Sequence, residues 1–281
     1  MTTSTGALPI ADAALAELLA QRLEIVEERL RGVVTYADRL ADSASRHLVD
    51  AVGKRLRPLL TLLAAQLGDG ARPEVVDAAV VCELTHLATL YHDDVMDSAP
   101  LRRGAPSAHE VWGNQVAILT GDLLFARAST IVAGLGPEAV RIQAATFERL
   151  CLGQLHETVG PREGDDPVAH YLQVLADKTG SLISASAVVG VLYSDAPLEY
   201  RAPVETFGEK IGQGMTTDEI YASTRQVAEG AKSCSSLRAL AEKHGVDAPI
   251  AVAVDEVVAG RINPTEMMQA FISRDTKAET D

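Results

Sequence analysis

The sequence predicts an all-α protein, a bundle of antiparallel helices up to about Ile211. Apolar residues recur at helical spacing along most of that stretch, and no alternating strand pattern or hairpin signal competes with them. The composition is 47% hydrophobic but only 4% aromatic, with abundant Ala and Leu; this favours helix and supplies a sizeable core. Stretches rich in Gly and Pro fall at the ends of the apolar runs, where they punctuate helices.

Each element follows from local chemistry. Asp12 is a candidate N-cap for a helix from Ala13 to about Val33, whose Leu/Ile positions alternate with Glu/Arg positions. Leu56 to Leu67 is a second helix, stopped by Gly68-Asp69-Gly70. Pro73 opens the next, which contains the apolar run Val80 to Tyr91. Gly121 to Ala133 is helical and ends at Gly134-Leu135-Gly136; Pro137 starts another helix running to about Thr158. Gly160 to Pro167 is a turn-rich loop in which Asp165-Asp166 form a turn and helix cap. Helices over Val168 to Asp177 and Ser181 to Val191 follow. The longest uncharged stretch, Thr179 to Ser194, is shorter than a span of roughly 20 residues and carries several Ser, so it reads as a buried core helix. Glycine and threonine then cluster at Gly212 to Thr217, and short helices are expected over Thr217 to Glu229, Ser235 to His244, Pro249 to Val258 and Pro264 to Ser273. The expected division is a helical domain over 1–211 and a helical segment over 212–281.

A formal net charge of −14 argues against nucleic acid and against an anionic membrane face, while leaving room for a local basic pocket. Cys82, Cys151 and Cys234 are odd in number and far apart, with no CxxC or Cys/His zinc spacing, as expected for reduced thiols in a cytoplasmic protein. The first residues carry no basic and apolar leader pattern, so neither a signal peptide nor an integral membrane protein is expected.

The run His92-Asp93-Asp94-Val95-Met96-Asp97 carries the chemistry. Asp93 and Asp97 are four apart, so on a helix they share one face with Cβ atoms about 6 Å apart. Carboxylates beside an apolar helix are costly unless a cation meets them. Magnesium bound with a phosphate ligand is the usual answer at an oxygen-only site. Arg102 and Arg103 follow at a turn ended by Gly104. Upstream, Gly53-Lys54-Arg55-Leu56-Arg57-Pro58 sets three cations within four residues, suited to charge-assisted bonds with a diphosphate; a solvated basic loop is the plain alternative.

Together with His86, Gly121-Asp122, Gly153-Gln154-x-x-Glu157 and Lys178-Thr179-Gly180, these motifs resemble trans-polyprenyl diphosphate synthases of the isoprenoid synthase fold, over about residues 10–212. The resemblance implies Mg²⁺-dependent condensation of isopentenyl diphosphate with an allylic diphosphate, in a homodimer. It implies that Lys54, Arg57, His86 and Arg103 hold the diphosphate of isopentenyl diphosphate, and that Arg102, Lys178 and Thr179 hold the allylic diphosphate. Arg55 and Gln154 are further substrate-binding positions. Asp93 and Asp97 are the implied Mg²⁺ ligands with Asp94 in support, and Asp93, Asp94, Asp97 and Lys178 form the implied catalytic set. The small residues Ala88 and Thr89, one turn before Asp93, imply an open tunnel floor and a long product.

The resemblance then breaks. The family's second aspartate-rich motif should follow a segment like Phe207 to Gly212, but that segment runs into Gln213-Gly214-Met215-Thr216-Thr217-Asp218-Glu219. The remaining aspartates, Asp218, Asp247, Asp255, Asp275 and Asp281, are isolated. The tail instead resembles the C-terminal end of NAD(P)-dependent glycerol-3-phosphate dehydrogenase, through Gly214 to Thr217, Gln226 to Gly230, Gly245 to Ile250 and Ser273 to Lys277. That family's nucleotide-binding domain has no counterpart, and Gly134-Leu135-Gly136-Pro137-Glu138-Ala139 follows a helix rather than a strand, so dehydrogenase activity is not expected. The expectation is a prenyltransferase impaired by the missing motif. The alternatives are a non-catalytic diphosphate-binding or regulatory subunit, and a non-functional fusion product.

Overall fold

The computed structural model describes residues 12–51, 53–212 and 215, and the helices expected beyond Thr217 lie outside them. Ten α-helices run in order among these residues: α1 (Ala13–Val33), α2 (Arg39–Asp50), α3 (Leu56–Ala64), α4 (Pro73–Met96), α5 (Ala108–Trp112), α6 (Asn114–Leu135), α7 (Pro137–Val159), α8 (Pro167–Leu175), α9 (Ser181–Tyr193) and α10 (Arg201–Gly212). Arg22 to Gln213 form one compact unit, which contains every candidate site residue.

Local signals set the helix ends. The Asp12 carboxylate accepts the Leu15 N–H at 3.0 Å, and Asp166 accepts that of Val168 at 2.9 Å. Pro73 and Pro137 occupy first-turn positions, followed by Glu74 and Glu138, which suit the positive end of the helix dipole. α4 is the central helix, packed against α3, α6 and α9. It is buried along most of its length, so its apolar residues surround the axis rather than forming a stripe.

α2 has no counterpart among the helices read from the sequence. Asp38 caps it, accepting the Ala41 N–H at 2.8 Å, and it buries Ala44, Ser45, Leu48 and Val49. The buried Tyr91 hydroxyl ties it to α4, donating to the Ala44 carbonyl at 2.5 Å and accepting the Leu48 N–H at 3.2 Å.

The expectation of a chain without hairpins needs correction. Leu101–Arg102 (β1) and Ala105–Pro106 (β2) pair antiparallel in the register Leu101↔Pro106 and Arg102↔Ala105. Arg103 (φ 52°) and Gly104 (φ 81°) form its two-residue loop, both in the left-handed region that a tight hairpin favours. His47 contacts the Pro106 carbonyl at 2.7 Å and packs edge-on against Trp112, so the hairpin is anchored to α2.

The two helices expected at Val168 to Asp177 and Ser181 to Val191 are joined by a π-helical turn, Ala176–Gly180. The joined stretch Pro167–Tyr193 is longer than the uncharged segment read from the sequence. By length and composition it, like α6, is sufficient to cross a membrane; 78% of its apolar 18-residue window is buried within the protein, against 33% of that of α6. α9 lies very close to α3, because Gly190 abuts the Thr61 carbonyl and the Thr61 hydroxyl donates to the Ser186 carbonyl at 2.9 Å.

Candidate functional site

A cleft of about 450 Å³ opens between α4, α6, α7 and the π-turn. Arg57, His86, Asp93, Gln154, Lys178 and Thr179 line it, so six of the sequence-derived site residues meet on one surface although they come from four separate segments. Phe125, Phe147, Leu150, Leu155 and Leu182 supply an apolar wall, with the two phenyl rings 4.3 Å apart. The sequence reading did not identify this wall.

α4 presents its acidic end to the cleft. Asp93 is half-buried, and burial raises its carboxyl pKa; Asp97 pushes the same way, against Lys178 and Arg102. Asp97 lies one helical turn on, its N–H donating to the Asp93 carbonyl at 2.8 Å, and is exposed outside the cleft lining. Asp94 faces inward and is fully buried. Its Oδ1 accepts Arg102 Nε at 2.6 Å and pairs with Nη2 of the same guanidinium, while its Oδ2 has no partner. The Asp94–Arg102 pair therefore braces the hairpin against α4. His92 also lines the cleft, its Nε2 3.1 Å from the Ile118 carbonyl and 3.3 Å from Asp122 Oδ1. A Cβ at Gly121 would lie 2.4 Å from that nitrogen, which accounts for glycine there.

The basic segment divides. Arg57 lines the cleft; its buried Nε has no partner, and burial lowers its pKa. Lys54 is exposed outside the lining. Arg55, expected to bind substrate, is instead buried in a left-handed conformation (φ 46°). Its guanidinium pairs with Glu27 and with Glu83 (2.8 Å), and donates to the Val49 carbonyl at 2.6 Å. Two carboxylates and a carbonyl occupy four of its five N–H groups, so the structure places Arg55 in the interior and outside the cleft lining. Arg103 likewise lies outside the lining. It donates to the Leu48 and Ala51 carbonyls at 3.1 and 3.3 Å and sits 3.9 Å from Glu83, packed so tightly on Gly53 that a Cβ there would clash. Glu83, 1% exposed, is the shared counter-charge for this cluster, and a lone carboxylate within the run Val80 to Leu84 was its sequence signal.

These cations act on His86. Burial and then the guanidinium fields of Arg57, Arg103, Arg55 and Arg102 lower its pKa to about 2, so it is neutral at physiological pH. Opposite, Lys178 pairs with Glu157, and the buried Gln154 Oε1 has no partner. Thr89 lines the cleft, whereas Ala88 is fully buried with its carbonyl toward Gly121. Of the two small residues, only Thr89 borders the cleft.

No group of three or more His, Cys, Asp or Glu among the described residues is arranged to hold a metal ion. The carboxylates still fit a hard cation. Asp93 and Asp97 offer only oxygen, and Asp97 makes ionisation of Asp93 harder, which a bound cation would reverse. Mg²⁺ binds through one or two carboxylates when phosphate oxygens and water complete its shell.

The polyprenyl synthetase family model matches residues 38–215, and the model of the NAD-dependent glycerol-3-phosphate dehydrogenase C-terminus matches 204–269. The chain is 46% identical over 211 residues to a nonaprenyl diphosphate synthase of Mycobacterium tuberculosis, covering 75% of this chain and 63% of that protein. It is 38% identical over 209 residues to heptaprenyl diphosphate synthase component 2 of Geobacillus stearothermophilus, covering 74% and 65%. The chain thus spans slightly under two thirds of the length of these curated relatives. Among solved structures, geranylgeranyl pyrophosphate synthase of Corynebacterium glutamicum, complexed with calcium and isoprenyl diphosphate, superposes with a TM-score of 0.65 at 33% identity, covering 93% of this chain and 82% of that one. The fold is therefore that of the isoprenoid synthases, and from Asp38 to Met215 the chain belongs to the polyprenyl synthetase family, with a dehydrogenase-related C-terminal segment following.

Proposed function

We propose that this chain is a prenyltransferase of the polyprenyl diphosphate synthase type, condensing isopentenyl diphosphate with an allylic diphosphate. The observation that carries this is that Asp93, Arg57, His86, Lys178 and Thr179 line one largely apolar cleft together. Asp93 and Asp97 would hold Mg²⁺, which when bound neutralises the departing diphosphate. Lys178 and Thr179 bind the allylic diphosphate, to which the Gln154 amide N–H₂ would donate. Arg57 and neutral His86 bind the isopentenyl diphosphate, and Asp94 orients Arg102. The allylic C–O bond breaks to leave a carbocation, the isopentenyl double bond forms the new C–C bond, and a proton leaves to the released diphosphate. The phenyl and leucine wall keeps water from the cation.

Catalysis is weakened, because the chain offers one aspartate cluster where the family uses two. The exposed Ile118 and Leu119 on the sparsely buried α6 suit a homodimer. A second reading follows from the component 2 relatives, whose names denote one part of a larger synthase. On that reading the chain binds diphosphates and a partner subunit completes the site.

An elongation assay with Mg²⁺, labelled isopentenyl diphosphate and allylic primers tests the first reading. Slow product formation is expected, abolished by Asp93→Ala. Folded protein that binds pyrophosphate without turnover would favour the second.

A further inference from the structure

We propose that Arg149 is a positioning residue that sets Lys178 and Thr179 into the cleft by clamping the π-turn and coupling it to α10. The identity of the ligand they meet rests on the function proposed above; the clamp itself does not.

A π-turn widens a helix and leaves its carbonyls poorly served, so it needs support from outside the helix. Arg149 Nε donates to Asp177 Oδ1 at 3.0 Å, and its Nη2 donates to the Ala176 carbonyl at 3.3 Å. That same carbonyl accepts the Ser181 N–H, five residues on, which defines the wide turn. Asp177 is buried; its Oδ2 accepts Gln173 Nε2 at 2.8 Å, and its carbonyl accepts the Ser181 hydroxyl at 2.5 Å. These bonds all fall on Ala176 or Asp177, immediately before Lys178, whose own Nζ pairs with Glu157 of α7. One helical turn beyond Arg149, Gly153 approaches so closely that a Cβ would lie 2.9 Å from the Lys178 backbone nitrogen. α7 therefore presents a guanidinium and a gap on the face that receives the turn.

The third arm of Arg149 reaches α10. Nη1 donates to Glu209 Oε1 at 2.7 Å. α10 is itself seated on α9, where Gly208 abuts Ser184 and the Ser184 hydroxyl donates to the Glu205 carbonyl at 3.0 Å. Glu209 lies within residues 204–215, which both family models match. Arg149 thereby adds a side-chain tie between the last described helix and the π-turn, on which α10 also packs directly.

The test uses the full-length chain and its Arg149→Ala, Arg149→Lys and Glu209→Gln variants. Amide hydrogen exchange and amine acylation of Lys178, followed by mass spectrometry without ligand, read the clamp directly. Arg149→Ala should raise exchange over residues 176–180 and Lys178 acylation about tenfold, leaving α4 unchanged, Arg149→Lys should restore part of the protection, and Glu209→Gln should raise the same exchange by a smaller factor, no change there overturning the coupling to α10. Farnesyl diphosphate binding should weaken about tenfold, with isopentenyl diphosphate binding unaltered. Unchanged exchange and acylation, or exchange that rises equally in α4, would overturn the proposal. If the turn responds as expected but wild type binds neither diphosphate, the clamp stands and the proposed function falls.

Discussion

At the scale of single residues, the site depends on which charges are already spent. Arg55 and Arg57 are two positions apart on a strongly basic segment, yet Arg55 is consumed by Glu27 and Glu83 while Arg57 reaches the cleft. The sequence could not separate them, because each carboxylate that claims Arg55 stands 28 residues away in the chain. The same cluster makes His86 a source of acid sensitivity. Its ordinary pKa of 6.5 in the unfolded chain falls to about 2 in the fold, so below pH 6.5 the unfolded chain takes up a proton that the fold refuses. Stability contributed at neutral pH is lost as pH drops from 6.5 toward 2, with a slope approaching about 1.4 kcal/mol per pH unit. Denaturant midpoints at pH 7 and pH 5 should differ less for His86→Gln than for wild type, and an equal pH dependence would remove His86 from the account.

Among the elements, those fixed by local chemistry were legible and those fixed by distant contacts were not. Asp12, Pro73, Pro137 and Asp166 mark helix starts by their own hydrogen-bonding chemistry, and each stands where the sequence suggested. α2 escaped notice because one of its four buried residues is the polar Ser45 and only Leu48 and Val49 are large and apolar. The hairpin escaped because its turn uses Arg103 at positive φ, a conformation held by carbonyls of α2 and its C-cap rather than by arginine's own preference. The α3–α9 contact gives a direct test of helix packing. Gly190→Ala would set a methyl group 2.3 Å from the Thr61 carbonyl, whereas Gly134→Ala meets nothing within 4 Å. Equilibrium unfolding should show Gly190→Ala destabilised by about 1–3 kcal/mol and Gly134→Ala neutral or stabilised by up to about 1 kcal/mol.

For the whole molecule, the bundle was legible from helical periodicity, but the division of the space inside it was not. Leu182, on α9, borders both the cleft and a small inner cavity of about 30 Å³ beside Cys82, Thr85 and Val189. It is therefore the partition between them, and no motif spacing reveals a partition contributed by another helix. Leu182→Ala should join the two spaces and, on the elongation activity proposed above, lengthen the main product, at about 2–5 kcal/mol in stability. Chromatography of dephosphorylated products reads the length, and an unchanged distribution would show that the partition lies elsewhere. The Cys151 thiol, exposed and unpaired, stands in the same cleft, while Cys82 is sealed in the core. Burial raises the Cys151 pKa, so its alkylation should accelerate as pH rises through the thiol range. In a Cys234→Ser background, an environment-sensitive maleimide dye placed there would act as an optical gauge of chamber filling: a farnesyl tail should shield the thiol and slow its labelling, inorganic pyrophosphate should not, and adding Cys151→Ser should erase the signal.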